Sequence, residues 1–265
     1  MSTIPNLPAG RQAETYLTTL ILGPRRQCPG CQRRLARGPD YWWCKPCRQK
    51  LRPRALTWLK GSRLPAETIL QLLWCWQHKR SPGAARDLTG VSYRCVARWY
   101  ERFRAQLPRE TAPLSGRVAV DEACFGRNRG QRKNQTWVVG ATEIDTGRRK
   151  LAIVGKRDEG VLHRFVLDTV TTDSFLYTDG WGSYGSLCDY GYGHQISNHE
   201  DGDFAETAYI ECVWSSAKRQ VRRMYGLVKR QYLPGLIREW EARTNHADLF
   251  TNPTTYLRAC LFREG

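Results

Sequence analysis

The sequence has no apolar run approaching the roughly 18 residues that a membrane-spanning helix needs. The N-terminal stretch MSTIPNLPAGRQAETYL also lacks the apolar core of a secretory signal. We therefore expect a cytoplasmic chain whose ten cysteines stay reduced. In that compartment paired cysteines bind metal more often than they form disulfides.

Acidic residues are scarce in the first two-fifths of the chain. Residues 1–110 contain 21 Lys and Arg but 6 Asp and Glu, a net charge of +15, whereas residues 111–265 contain 21 and 19, a net charge of +2. A folded segment this basic is typical of a protein that binds a polyanion. Nucleic acid is the leading candidate, because Lys and Arg contacts to phosphate supply most of its non-specific affinity. The alternative is a basic surface that only keeps the protein soluble.

Composition divides the chain into parts. A cysteine-rich segment is followed by one with helical spacing, and then by a longer one in which strand-like and helix-like patterns alternate. The stretch LPRETAPLSG, with two prolines and a glycine, separates the last two. The expected parts are an N-terminal segment, 1–52, with a zinc ribbon at 24–50; a helix-turn-helix domain, 53–110; a catalytic domain, 116–250; and a C-terminal helical tail, 251–265.

The third part predicts an α/β layer with a mixed sheet. Three strand patterns come first, with DTG as a hairpin turn between the second and the third. A helix, a strand, a shorter strand and two more helices follow. In chain order the segments are GRVAVDEACFG, QTWVVGATEID, RRKLAIVGK, DEGVLHRFVLDTV, SFLYTD, HQISN, ETAYIECVWSSAKRQVRRMYG and LPGLIREWEARTNH.

Two cysteine pairs indicate a structural zinc site. They are Cys28-Pro-Gly-Cys31 and Cys44-Lys-Pro-Cys47. Each pair places two thiolates on a tight turn, and two such turns complete the closed tetrahedron of a structural Zn²⁺ site. The alternative is free cysteines in a loop. Many Arg and Lys residues surround the pairs, which favours contact with DNA over docking to a protein.

The stretch SPGAARDLTGVSYRCVARWYERFRAQL is typical of a helix-turn-helix. Gly90 marks the turn, and Ser92 caps a second helix that would lie in the major groove. The alternative is a helical hairpin that contacts no groove. The residues expected to face outward are Tyr93, Arg94, Ala97, Arg98 and Arg104, and those expected to read DNA are Tyr93, Arg94 and Arg98.

Three acids fall at comparable places in the α/β part. Asp121 closes the first predicted strand, Asp179 closes the fourth, and Glu211 lies on the long helix that follows. Acids on two adjacent strands and a facing helix can hold two Mg²⁺ or Mn²⁺ ions for phosphodiester cleavage, which is a ribonuclease H-like geometry. A lone strand-end Asp, in contrast, is often only a turn residue. The acids without this context, expected to be solvated, are Glu122, Asp145 and Asp189.

The blocks VAVDEACFG, YTDGWGSY and YIECVWSSAKR resemble the three catalytic blocks of Merlin-type DDE transposases, which belong to an insertion-sequence group with an N-terminal zinc ribbon. The resemblance runs from Cys28 to about Asn245. It implies that Asp121, Asp179 and Glu211 hold two Mg²⁺ ions, and that the partners are double-stranded DNA at terminal inverted repeats and at a target site. It also implies a homodimer or larger assembly on DNA.

Further DNA contacts are expected around these acids. The resemblance gives Lys218 a contact to the DNA end, and Trp214 is either a core residue or a wedge between bases. A basic loop just after Asp121 is expected to clamp phosphate or to track DNA. The basic residues assigned to DNA here are Arg127, Arg129, Arg132, Lys133, Lys218 and Arg222.

The third block departs from the family pattern. Ala208 stands where the family usually has Asn, three positions before the glutamate. Either Glu211 alone completes the metal site, with Glu206 as the weaker candidate, or the protein has lost activity and only binds DNA. The hypothesis is a DNA transposase in the cytoplasm or nucleoid, or in the nucleus of a eukaryotic host. The alternatives are an inactive DNA-binding descendant and a nuclease without strand transfer.

Overall fold

The computed structural model describes residue 4 and residues 6–126, 135–179, 182–197, 207–226 and 229–262. The chain divides into two compact units. The first unit contains residues 1–107 together with residues 248–265, and the second contains residues 108–247. Within the described residues, no helix is both long enough and apolar enough to cross a bilayer.

The first unit combines helices with a small three-stranded antiparallel sheet. The first strand of this sheet pairs with the second, and the second pairs with the third. The sheet follows the first helix, and the remaining helices follow the sheet. The helices are α1 (Gly10–Leu22), α2 (Ala66–Gln77), α3 (Pro82–Thr89), α4 (Tyr93–Ala105) and α8 (Pro253–Cys260), and the strands are β1 (Ala36–Arg37), β2 (Trp42–Cys44) and β3 (Gln49–Leu51).

Helix α8 is an integral part of the first unit. Its Tyr256 hydroxyl donates to the Phe103 carbonyl at 2.8 Å, and the Tyr256 ring lies edge-on to Trp76. Gln77 on α2 donates to the carbonyls of Leu249 and Asn252. The C-terminal segment that the sequence set apart as a tail therefore packs into the helical core of this unit. Helix α1, which no sequence pattern identified, packs against α2 in the same unit.

The second unit is built on a five-stranded mixed sheet with the order β6-β5-β4-β7-β8. Strands β4, β5 and β6 are antiparallel, while β7 is parallel to β4 and β8 is parallel to β7. The elements are β4 (Arg117–Phe125), β5 (Thr136–Glu143), β6 (Arg149–Val154), α5 (Glu159–Thr169), β7 (Phe175–Asp179), β8 (Gly193–Ser197), α6 (Thr207–Tyr225) and α7 (Leu233–Asn245). This is the ribonuclease H-like α/β fold that the sequence predicted.

Helices cover both faces of this sheet. Alternate residues of β4 point to opposite faces, because side chains along a strand alternate. Val118 and Val120 pack in one core cluster with α5, whereas Ala119 and Ala123 pack in a second cluster with α6 and α7. We call these two sides the α5 face and the α6 face. Asp121 belongs by this alternation to the α6 face.

Helix α7 protects the open edge of the sheet along β6. The Glu241 Oε2 atom accepts from the Leu151 backbone N–H at 2.8 Å. Asn245, one turn later, accepts from the Arg149 N–H at 3.0 Å and donates to the Arg149 carbonyl at 2.7 Å. These two side chains satisfy backbone groups that would otherwise invite pairing with another strand.

Glu241 makes the stability of the second unit depend on pH. Burial raises its pKa from 4.5 to about 7. The folded chain therefore binds this proton more tightly than the unfolded chain, so the stabilisation is complete below pH 4.5 and is lost as the pH rises through 7.

We predict that Glu241→Gln, which keeps an acceptor for the Leu151 N–H, removes this dependence. Relative to the unchanged protein, the variant should gain unfolding free energy as the pH rises from 4.5 to above 7. The gain is at most about 3.5 kcal/mol, since the pKa is raised by about 2.5 units and one pKa unit corresponds to about 1.4 kcal/mol. Urea unfolding across this range measures the difference. Parallel pH profiles for the two proteins would contradict the prediction.

Candidate functional site

Two of the three predicted acids lie at the same level of the central sheet. The parallel register of β4 and β7 pairs Val118 with Leu176 and Ala119 with Tyr177. The recorded pairing ends there, and Asp121 and Asp179 each lie two residues further along, where the charge of Asp179 is close enough to raise the pKa of Asp121. Asp179 ends β7 as the sequence predicted. Asp121, in contrast, lies inside β4, which runs on to Phe125, and is not at the strand end.

Both carboxylate oxygens of Asp121 accept a hydrogen bond. Oδ1 accepts from the backbone N–H of Glu122 at 2.7 Å, and Oδ2 accepts from the indole N–H of Trp214 at 3.0 Å. Burial, together with the negative charges of Glu122 and Asp179, raises the pKa of Asp121 to about 7. Two carboxylates held this close repel each other, and a bound cation would relieve the repulsion.

Trp214 connects α6 to the sheet below Asp121. Its side chain is 4% exposed, and its ring lies edge-on to Phe125 with centroids 6.2 Å apart. The ring also crosses Gly140, the β5 residue that pairs with Asp121. A Cβ atom at position 140 would lie 2.8 Å from Trp214 Cη2 and Cζ2, so only glycine fits. Of the two roles that the sequence left open for Trp214, the structure shows the core role, and the buried ring offers no surface to a base.

Glu211 lies one helical turn before Trp214 on α6 and is exposed. The bond from Trp214 to Asp121 therefore holds this part of α6 over β4. Among the residues that the structure describes, the ligand atoms of Asp121, Asp179 and Glu211 do not form a cluster tight enough to hold an ion as they stand. The structure thus brings the two aspartates together and places Glu211 on the helix beside them.

The expectation that Glu122 is solvated is wrong. Glu122 is 9% exposed, and its carboxylate pairs with the Arg157 guanidinium at 3.1 Å. That guanidinium lies 4.6 Å from the centroid of the Trp137 ring. The alternation of β4 could have revealed this, because Glu122 follows Val118 and Val120 on the α5 face. Asp145 is exposed as expected and pairs with an equally exposed Arg117.

The four cysteines of the ribbon converge. Their sulfur atoms lie within 4.8 Å of one another. The Cys28–Cys47 distance is 4.0 Å and the Cys31–Cys44 distance is 3.4 Å. A tetrahedral site with Zn–S bonds of about 2.3 Å has sulfur atoms about 3.8 Å apart, so the observed distances fit such a site. The backbone N–H of Cys31 lowers the pKa of Cys28 to about 6, while side-chain hydrogen bonds with Cys31 and Cys44 raise the pKa of Cys47 to about 12.

Helices α3 and α4 are joined by a short turn at Gly90, whose φ of +72° is the left-handed conformation that suits glycine. The Ser92 hydroxyl caps α4 by accepting from the Cys95 N–H. Tyr93, Arg94 and Arg98 are exposed, as expected. The expectation for Arg104 is wrong, since this side chain is 7% exposed.

The remaining predicted DNA contacts divide into two groups. On α6, Lys218 and Arg222 are exposed, and the Lys218 Nζ atom lies 5.8 Å from the centroid of the Phe125 ring. Lys218 lies one turn after Trp214 on α6, and Glu211 lies one turn before it. The residue that binds Asp121 is therefore flanked by an acidic and a basic side chain. The basic residues after β4 lie outside the described residues; they are Arg127, Arg129, Arg132 and Lys133.

A family model described as the ISXO2-like transposase domain matches residues 113–245, which is half of the chain. The chain belongs to this family of transposases. The match covers the second unit almost completely, including Asp121, Asp179 and Glu211. This result confirms the resemblance to zinc-ribbon insertion-sequence transposases for the catalytic domain. A comparison with curated proteins found no significant match.

Two solved structures are distantly similar to this chain. One is a simian T-cell lymphotropic virus intasome in complex with PP2A regulatory subunit B56 gamma, with 10% identity over 71% of this chain and 74% of that chain and a TM-score of 0.38. The other is the HTLV-2 integrase catalytic core domain in complex with magnesium, with 10% identity over 57% of this chain and 98% of that chain and a TM-score of 0.34. Similarity this weak says nothing about the chemistry of this chain.

Proposed function

We propose that this protein cuts DNA at the terminal inverted repeats of a mobile element and joins the freed 3′ ends to target DNA. The observation that supports this most is the position of Asp121 and Asp179 on neighbouring parallel strands, close enough for the charge of Asp179 to raise the pKa of Asp121, together with Glu211 on the helix that packs on β4. The family match supports the reaction class.

Asp121, Asp179 and Glu211 would hold two Mg²⁺ or Mn²⁺ ions. Their carboxylate oxygens are the hard ligands that these ions prefer, and the mutual repulsion of the two aspartates favours a cation. The bound ions would activate the attacking water or 3′-hydroxyl and neutralise charge on the scissile phosphate. Glu211 projects from a helix, and its longer side chain can swing towards the two aspartates. Lys218, one turn beyond Trp214, would contact the phosphates of the DNA end.

We predict that Asp121→Asn, Asp179→Asn and Glu211→Gln each reduce Mg²⁺-dependent cleavage by at least about 1000-fold, because metal stabilisation of the transition state amounts to several kcal/mol. Binding of the DNA ends, by the first unit, should remain. The assay incubates protein with DNA that carries the ends and follows cleaved and joined products on a gel. Asp145→Asn, an exposed acid of the same unit, is the matched control and should cleave normally.

The outcomes of this assay separate the candidate functions. Unchanged cleavage by any one of the three variants would refute its metal role. If the unchanged protein bound the ends but made no product with Mg²⁺ or Mn²⁺, it would be the inactive DNA-binding descendant that Ala208 favours. Cleaved ends without joined product would identify a nuclease that lacks strand transfer.

The first unit would recognise the ends through α4. Tyr93, Arg94 and Arg98 are exposed on the first two turns of this helix, which is the part of a recognition helix that contacts base edges. The buried side of α4, with Trp99 and Phe103, fixes it to the bundle. The charge of +15 in residues 1–110 would supply the phosphate contacts.

We predict that Arg94→Ala and Arg98→Ala each weaken binding to the end sequence by about 10- to 100-fold, the effect of losing a base contact. Binding to scrambled DNA should change much less. Fluorescence anisotropy with both duplexes measures the ratio of the affinity for the end sequence to the affinity for scrambled DNA. Arg258→Ala, at an exposed position on α8, is the control and should leave the ratio unchanged. If affinity for both duplexes fell equally, these residues would contact phosphates and not base edges.

The ribbon would hold one structural Zn²⁺ ion through Cys28, Cys31, Cys44 and Cys47. Its strands are two or three residues long, so the ribbon has little core of its own and metal binding would supply its stability. We predict that Cys44→Ser loses one equivalent of zinc by metal analysis and lowers the melting temperature of the protein. Cys212→Ser, at an exposed thiol outside the cluster, should keep the full zinc content and the melting temperature of the unchanged protein. Full zinc content in Cys44→Ser would contradict the site.

Joining two ends in one reaction requires at least two copies of the catalytic unit, so the active form would be a homodimer or a larger assembly on DNA. The protein would act where its DNA is, in the cytoplasm and nucleoid of a bacterium or in the nucleus of a eukaryotic host. The DNA that flanks the gene would supply the end sequence.

A further inference from the structure

We infer that Trp214 is a positioning residue for the metal site, which it serves by orienting the Asp121 carboxylate and by fixing the distance of Glu211 from it. This inference rests on the proposed function, because it assumes that Asp121 binds metal. It gives the buried Trp214 ring a function beyond core packing, as a support for the metal ligands.

The hydrogen bonds fix the plane of the Asp121 carboxylate. The Glu122 N–H holds Oδ1 from the strand, and the Trp214 N–H holds Oδ2 from the helix. An ionised carboxylate has two lone pairs on each oxygen, so both atoms keep one lone pair for a metal ion. A ligand held in this way binds without losing rotational freedom. Removing such an outer support typically costs 10- to 100-fold in metal affinity or activity.

Packing on several sides holds the indole ring in this position. Phe125 contacts one edge, Trp240 lies 6.1 Å away, and Gly140 leaves no room for a side chain beneath it. Trp214 and Glu211 share one turn of α6. The hydrogen bond to Asp121 therefore sets the register of the helix against β4, and with it the position of the third acid.

The test is a titration of the zinc-loaded full chain with Mn²⁺, in which free Mn²⁺ is followed by electron paramagnetic resonance. Trp214→Phe keeps an aromatic ring but loses the N–H. We expect its Mn²⁺ affinity to fall by about 10- to 100-fold. Cleavage by this variant should require correspondingly more Mn²⁺ and should recover at saturating metal, which a residue that contacts only DNA would not show.

Trp240→Phe is the matched control. Trp240 is 5% exposed and belongs to the same aromatic cluster, but the indole bonded to Asp121 is that of Trp214. Both variants should lose similar thermal stability, while Trp240→Phe should bind Mn²⁺ within about twofold of the unchanged protein. Equal affinity losses in the two variants, or normal affinity in Trp214→Phe, would overturn the inference.

Two further variants make the result decisive. If Trp214→Phe does not fold, Gly140→Ala is measured instead, since the added methyl group displaces the ring and leaves the N–H in place on a misaligned indole. It should lose Mn²⁺ affinity as well, and normal affinity would overturn the inference. Asp121→Asn tests the underlying site. If it binds Mn²⁺ normally, the proposed metal site fails; if it loses Mn²⁺ while Trp214→Phe does not, only the role of Trp214 fails.

Discussion

The close approach of Trp214 to the sheet is the constraint on which the second unit depends. The indole fits because β5 has glycine at position 140, and its N–H reaches the Asp121 carboxylate on the neighbouring strand. The indole N–H thereby links the helix that carries Glu211 directly to Asp121, within a cluster in which other α6 residues also pack on β4. A larger residue at position 140 would push α6 away from the sheet. The distance between Glu211 on α6 and Asp121 on β4 would then no longer be fixed.

The position of Asp121 is electrostatically unfavourable for its ionised form. Asp121 is largely removed from water and lies near two other carboxylates, which raises its pKa to about 7. Strongly raised pKa values of this kind are frequent at functional sites. Glu122, its neighbour in sequence, shows the opposite solution, since it points to the other face and is neutralised by Arg157. Adjacent acids on one strand therefore have different roles because side chains alternate.

Much of the second unit could be predicted because its strands are apolar and its helices have clear stop signals. In the described part of this unit, the five strands and the three α-helices occur where the sequence patterns indicated, whereas no pattern indicated the 3-10 helix Gly182–Tyr190. The packing of α8 could not be predicted, because it depends on contacts between segments far apart in sequence. Helix α1 was missed because it has no capping side chain and no acidic first turn. The three acids were found by their order along the chain, whereas the bond from Trp214 requires the folded structure.

The central claim is that the two aspartates and Glu211 share divalent metal ions when DNA is bound. The most direct measurement is anomalous diffraction from crystals of the protein with Mn²⁺ and DNA that carries the end sequence. The account predicts Mn²⁺ peaks between β4, β7 and α6, with carboxylate oxygens about 2.0–2.2 Å away, distances typical of a small divalent cation. Peaks elsewhere, or none near Asp121 although DNA occupies the site, would contradict it.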